Sequence, residues 1–207
     1  MAERGLGQLS NDIKPSNLNE YALVLPPGSN YIYAAQLLNP AQANNALTYY
    51  VHFGPMNDAR LRVVSALLTQ IMTEPAFNVL RTKEQLGYIV HCSGLLLSGS
   101  TLKGLRIIVQ SEKRPGYLEG RVEAFLEGIK ETLGQMTDEE FGEHKEGVRK
   151  KWLEEWKNLS EESSAFYSYI NSGSWDFYRS ELFYFIFSFS LSCGFTDLLL
   201  CYRGQRR

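Results

Sequence analysis

Leu80-Arg81-Thr82-Lys83-Glu84-Gln85-Leu86-Gly87-Tyr88-Ile89-Val90 is where this 207-residue chain changes from one structural period to another. Upstream, Asn57-Asp58 offers an N-cap, and Leu61, Val64, Leu67, Leu68 and Ile71 follow at helical spacing. Pro75 should interrupt that helix and open a second one ending near Gly87, because proline removes a backbone donor. Downstream, Tyr88–His91 and Leu105–Gln110 read as two strands joined by a Gly/Ser-rich connection between Gly94 and Gly104.

Outward from that point, residues 1–29 are polar, rich in Asn, Pro and Gly, and read as a linker leading into a domain. Tyr31–Leu38 reads as a strand. Leu47, Tyr49, Val51 and Phe53 alternate with Thr48, Tyr50 and His52, the signature of a half-buried strand. After Pro115-Gly116, the residues Leu118, Val122, Phe125, Leu126, Ile129 and Leu133 form one apolar helical stripe. Thr137 and Glu140 are spaced as a capping box, opening a helix expected to turn Phe141, Val148, Trp152 and Leu159 inward. Its outer face places Glu146 and Lys150 at a supporting i,i+4 spacing. A last helical segment is expected over Ser164–Asn171. Strands first and helices after them describe an α+β two-layer domain over residues 30–180.

With 44% hydrophobic and 13% aromatic residues the chain can bury a substantial core. A net charge of −2 gives no global pull on nucleic acid, so no nucleic-acid partner is expected. Cys92, Cys193 and Cys201 form no CxxC pair, which suits a reducing compartment. No apolar stretch follows Met1, and a cytoplasmic location is expected.

Zinc hydrolysis needs about three protein ligands and an open water position. His52, His91 and His144 sit in neither H-x-x-E-H nor H-E-x-x-H, so the chain is expected to bind no metal of its own. Glu140-x-x-Glu143-His144 reads as a charged helix face, and His52 as a surface or hydrogen-bonded strand residue. Cys92, on the opposite strand face from His91, reads as a buried structural thiol. Gly5–Gly7 and Gly99–Gly104 are too irregular for phosphate loops. Arg81 and Tyr88, seven residues apart across a helix-to-strand turn, can reach one cleft. There, a guanidinium would bind peptide carbonyls or a carboxylate, and a phenol would donate to developing oxygen charge. The plainer reading stays open: Arg81 paired with Glu84 or Glu74, and Tyr88 a half-buried strand aromatic.

Leu80–Tyr88 resembles the LRTKEQLGY signature of the C-terminal half of the pitrilysin/insulysin zinc peptidases, the insulin-degrading enzyme branch in particular. Gly104-Leu105-Arg106 with Gln110-Ser111-Glu112-Lys113 resembles the next family stretch, and Tyr117–Leu126 the helix after it. Met136–Phe141 and Trp175-Asp176-Phe177 are similar to later elements, so the resemblance covers about residues 20–178. It implies a mixed β-sheet covered on one face by helices. It also implies the last of four domains that close as two bowls around a chamber, with zinc held by the N-terminal catalytic half. Peptide substrates would be bound by Arg81 and Tyr88, and Tyr88 would stabilise the transition state. The chain alone is expected to be inactive, needing that other half. A non-catalytic peptide-binding or interaction subunit is the alternative.

From about residue 181 the sequence departs from the family pattern. Residues 181–207 form an apolar, Phe- and Ser-rich tail expected to lie outside the fold. Its 21 residues from Leu182 to Tyr202 would span a bilayer core, making a tail-anchored protein the weaker alternative. Ser188, Ser190, Ser192 and Asp197 argue against that span.

Overall fold

Pro75 does not break the helix. In the computed structural model, which describes residues 30–39, 41–55, 58–97, 102–171 and 177, helix α1 runs through it over Ala59–Ala76. The chain then widens into a π-helix, Phe77–Lys83, instead of starting afresh. A proline lacks the N–H that closes a helical ring and crowds the preceding turn. The chain nevertheless stays helical past it, with i→i−5 bonding just downstream, as in the 2.9 Å bond from Glu84 N–H to the Val79 carbonyl. Asp58 caps α1 as expected, accepting from the N–H groups of Arg60 at 2.8 Å and Leu61 at 3.3 Å.

Three strands make up the described sheet: β1 (Asn45–Pro55), β2 (Ile89–Leu96) and β3 (Leu102–Ser111), in the order β1-β3-β2. Both ladders are antiparallel, so no parallel pairing of the expected mixed sheet falls among the described residues. The register stacks apolar rows on one face: Leu47 beside Val109 and Val90, and Tyr49 beside Ile107 and Cys92. Among the described residues four α-helices accompany the sheet: α1, α2 (Pro115–Gln135), α3 (Asp138–Leu153) and α4 (Leu159–Asn171). All six stripe residues of α2 are buried, joining α1 and the sheet in one core. The fold is thus α+β, in two layers.

Three local expectations are corrected. Tyr31–Leu38 forms no strand; Tyr33 is 93% exposed, and no described element offers its backbone a partner. Leu159 belongs to α4 and is exposed, because α3 stops at Leu153. Helix α4 begins at Leu159 rather than Ser164, with Asn158 accepting from the Glu161 N–H at 2.9 Å. Glu146 pairs with Arg149 at 2.6 Å, which lowers its carboxyl below the ordinary range, and Lys150 at the expected i,i+4 spacing adds its charge in the same direction. The capping box at Thr137 and Glu140 forms as the spacing indicates. Residues 1–29, the 181–207 tail, Trp175 and Asp176 lie outside the described residues. The run Ala59–Lys83 is long and apolar enough to cross a membrane by length and composition. Its Val63, Leu67, Ile71 and Met72 are nevertheless buried in the domain's own core.

Candidate functional site

The π-helix and the turn after it bring Arg81 and Tyr88 together. Their cation–π contact places the guanidinium carbon 5.0 Å from the Tyr88 ring centre. A second ring, Phe77, lies 4.7 Å from the same carbon, so two aromatic faces flank one guanidinium. Tyr88 is 83% exposed and precedes β2, rather than sitting half-buried within it. Neither Glu74 nor Glu84 pairs with Arg81 in this structure. Glu84 is instead engaged by Arg121 of α2, whose Nε and Nη2 donate at 2.7 and 2.5 Å to its two oxygens. That pair of hydrogen bonds to a carboxylate raises the Arg121 pKa further above its already high ordinary value.

Why the turn holds this shape follows from three neighbouring residues. Gln85 adopts φ 51°, a left-handed conformation uncommon for a residue with a side chain. Leu86 is buried and its N–H reaches back 3.0 Å to the Leu80 carbonyl. Gly87 passes so close to β3 that an added Cβ would stand 1.8 Å from the Gln110 carbonyl oxygen. Only glycine fits there. The result is an open hollow of about 500 Å³ lined by Gln85, Gly87, Tyr88, Ile89, Gln110 and Lys113. A guanidinium held over aromatic rings keeps N–H donors suited to a carbonyl or carboxylate.

Elsewhere the chemistry is structural. Burial pushes the Cys92 thiol up to about 12, far from a reactive thiolate. Tyr50 is likewise raised to about 12 by burial, and its hydroxyl lies 3.4 Å from His52 Nδ1. Burial lowers His52 below its usual imidazole value. Glu140 is committed to its capping box, where the Thr137 N–H holds its carboxyl below the ordinary range. Among the described residues no three His, Cys, Asp or Glu side chains gather as a metal would require. The donor set among the described residues does not fit a zinc ion.

Residues 67–167 match the family described as PQQ synthase PqqF-like, C-terminal lobe domain 4. A Schizosaccharomyces pombe protein whose name describes a zinc protease is 41% identical over 160 residues, 77% of this chain and 16% of that protein. Insulin-degrading enzyme of Bos taurus is 38% identical over 169 residues, 81% of this chain and 16% of the enzyme. The crystal structure of pitrilysin superimposes with a TM-score of 0.64 at 25% identity, covering 77% of this chain and 17% of that one. The chain belongs to the pitrilysin/insulysin family. Its match is to a C-terminal-lobe domain of that family, and it spans about one sixth of the length of the curated relatives it matches.

Within this pitrilysin/insulysin domain, Phe77 and the Glu84–Arg121 pair escaped the reading of the sequence. Phe77 stands four residues before Arg81, a spacing that marks neighbours on a helix. Arg121 lies 37 residues from Glu84, and nothing local announces that contact.

Proposed function

We propose that this chain is the substrate-binding, chamber-forming domain of an insulysin-like zinc metalloendopeptidase that hydrolyses peptides. The domain runs from about residue 30 to 180, and zinc and its ligands reside in the N-terminal catalytic half of the complete enzyme. Arg81 binds a peptide carbonyl or carboxylate, and the Tyr88 hydroxyl donates to the oxygen that gains charge as the peptide bond is attacked. The observation that carries this reading is the Arg81 guanidinium stacked on an exposed Tyr88, which itself lines an open hollow.

The test is reconstitution. The purified chain should leave fluorescein-labelled insulin B chain intact and should restore cleavage when mixed with a separately expressed N-terminal half. Turnover by the chain alone would sink the proposal. Peptide binding without restored cleavage would favour a non-catalytic interaction subunit instead.

A further inference from the structure

Glu84 stands between Arg81 and Tyr88 and is tethered twice. Its N–H bonds the Val79 carbonyl at 2.9 Å, which closes the last π-turn. Its carboxylate receives both Arg121 donors, at 2.7 and 2.5 Å. Arg121 in turn projects from a rigid platform, because Leu118, Val122 and Phe125 of α2 are all buried in the core. A planar fork gripping both carboxylate oxygens fixes direction as well as distance. The ion pair is thus a strut from the core helix to the turn that presents the two site residues.

We propose that Glu84 and Arg121 are positioning residues for peptide recognition, holding the π-turn so that the Arg81 guanidinium stays stacked on Tyr88. This rests on the reading of Arg81 and Tyr88 as the peptide-binding pair. Its physical basis is a contrast between two roles. The pair is partly exposed, with side chains 39% and 19% accessible for Arg121 and Glu84, so its contribution to stability is small. Leu80, Leu86 and the close approach at Gly87 already anchor the turn to the core. What remains for the strut is the angular setting of the residues between those anchors. A displacement there on the order of 1 Å is enough to weaken recognition substantially.

The experiment uses the full chain with 3-fluorotyrosine incorporated only at position 88, read by fluorine NMR, alongside anisotropy of fluorescein-labelled insulin B chain. Arg81→Ala sets the resonance position for a lost stack. Glu84→Gln should move the resonance at least half of the way to that position. It should weaken peptide binding about tenfold, while the thermal midpoint stays within about 2 °C of the parent. The charge-exchanged double variant Glu84→Arg/Arg121→Glu should recover most of both signals. An unmoved resonance in Glu84→Gln, or a double variant no better than the single one, overturns the positioning role. Absence of peptide binding by the parent chain refutes the proposed function instead, and the resonance still decides the strut.

Discussion

Gly87→Ala isolates the contact that delivers Tyr88 to the surface. The new Cβ would stand 1.8 Å from the Gln110 carbonyl oxygen, whereas ordinary contact begins near 3.4 Å. The turn and β3 must therefore part by about 1.5 Å, roughly a third of the ~4.8 Å spacing between paired strands. A ladder bond of about 2.9 Å cannot survive that displacement. Overpacking costs about 1–3 kcal/mol, and one or two backbone bonds lost at the start of β2 add about 1 kcal/mol each. The sum is roughly 2–5 kcal/mol, a large share of the 5–15 kcal/mol typical of a domain. With a urea slope of about 2 kcal/mol per molar, the unfolding midpoint should fall by about 1–2.5 M. Far-UV circular dichroism through a urea titration reads it directly. Gly120→Ala is the control: it lies exposed within α2 with open space at its Cβ. There alanine should stabilise by about 0.5–1 kcal/mol. A midpoint for Gly87→Ala within about 0.3 M of the parent would refute the argument that close approach dictates glycine here.

Three other perturbations probe the rest of the domain. Thr137→Ala removes the side chain that accepts from the Glu140 N–H at 3.2 Å, and should cost about 1 kcal/mol in the same titration. Burial lowers the folded-state pKa of His52 below 6.5, so the unfolded chain binds that proton first. The His52 contribution is therefore complete above pH 6.5 and is lost as pH falls through 6.5 toward the folded value. His52→Gln should flatten this part of the stability profile between pH 7.5 and 5.5, and an unchanged slope would count against it. In a Cys193→Ser/Cys201→Ser background, Cys92 should react with a disulfide reagent only as fast as the chain unfolds, given its buried thiol near 12. Prompt labelling of the native protein would contradict that burial.

The parts of the fold that were legible in the sequence are those with a strong local period. The α2 stripe, the alternation in β1, the Asp58 cap and the Thr137–Glu140 box each announce themselves within four residues, and each forms. Pro75 carries a local penalty against helix, yet the helix runs through it where Ala76 and Leu80 are buried in the core, a gain that packing supplies and the local sequence does not. Tyr31–Leu38 carries strand-like residues, yet a strand exists only where a neighbour accepts its backbone. At the site, the spacing of Arg81 and Tyr88 across a turn showed that they could meet. The stacking of Arg81 on Tyr88 depends on the left-handed Gln85 and the Gly87–Gln110 approach, features of three-dimensional packing that no short window of residues encodes.

Replacing Tyr88 by phenylalanine in the reconstituted two-half enzyme probes the proposed chemistry most directly, since it removes one oxygen and keeps the ring that Arg81 rests on. Cleavage of insulin B chain should then lose about 10²-fold or more in kcat with little change in KM, the pattern of a donor used mainly in the transition state. Equal kcat values for the two forms would contradict a role for that hydroxyl in peptide hydrolysis.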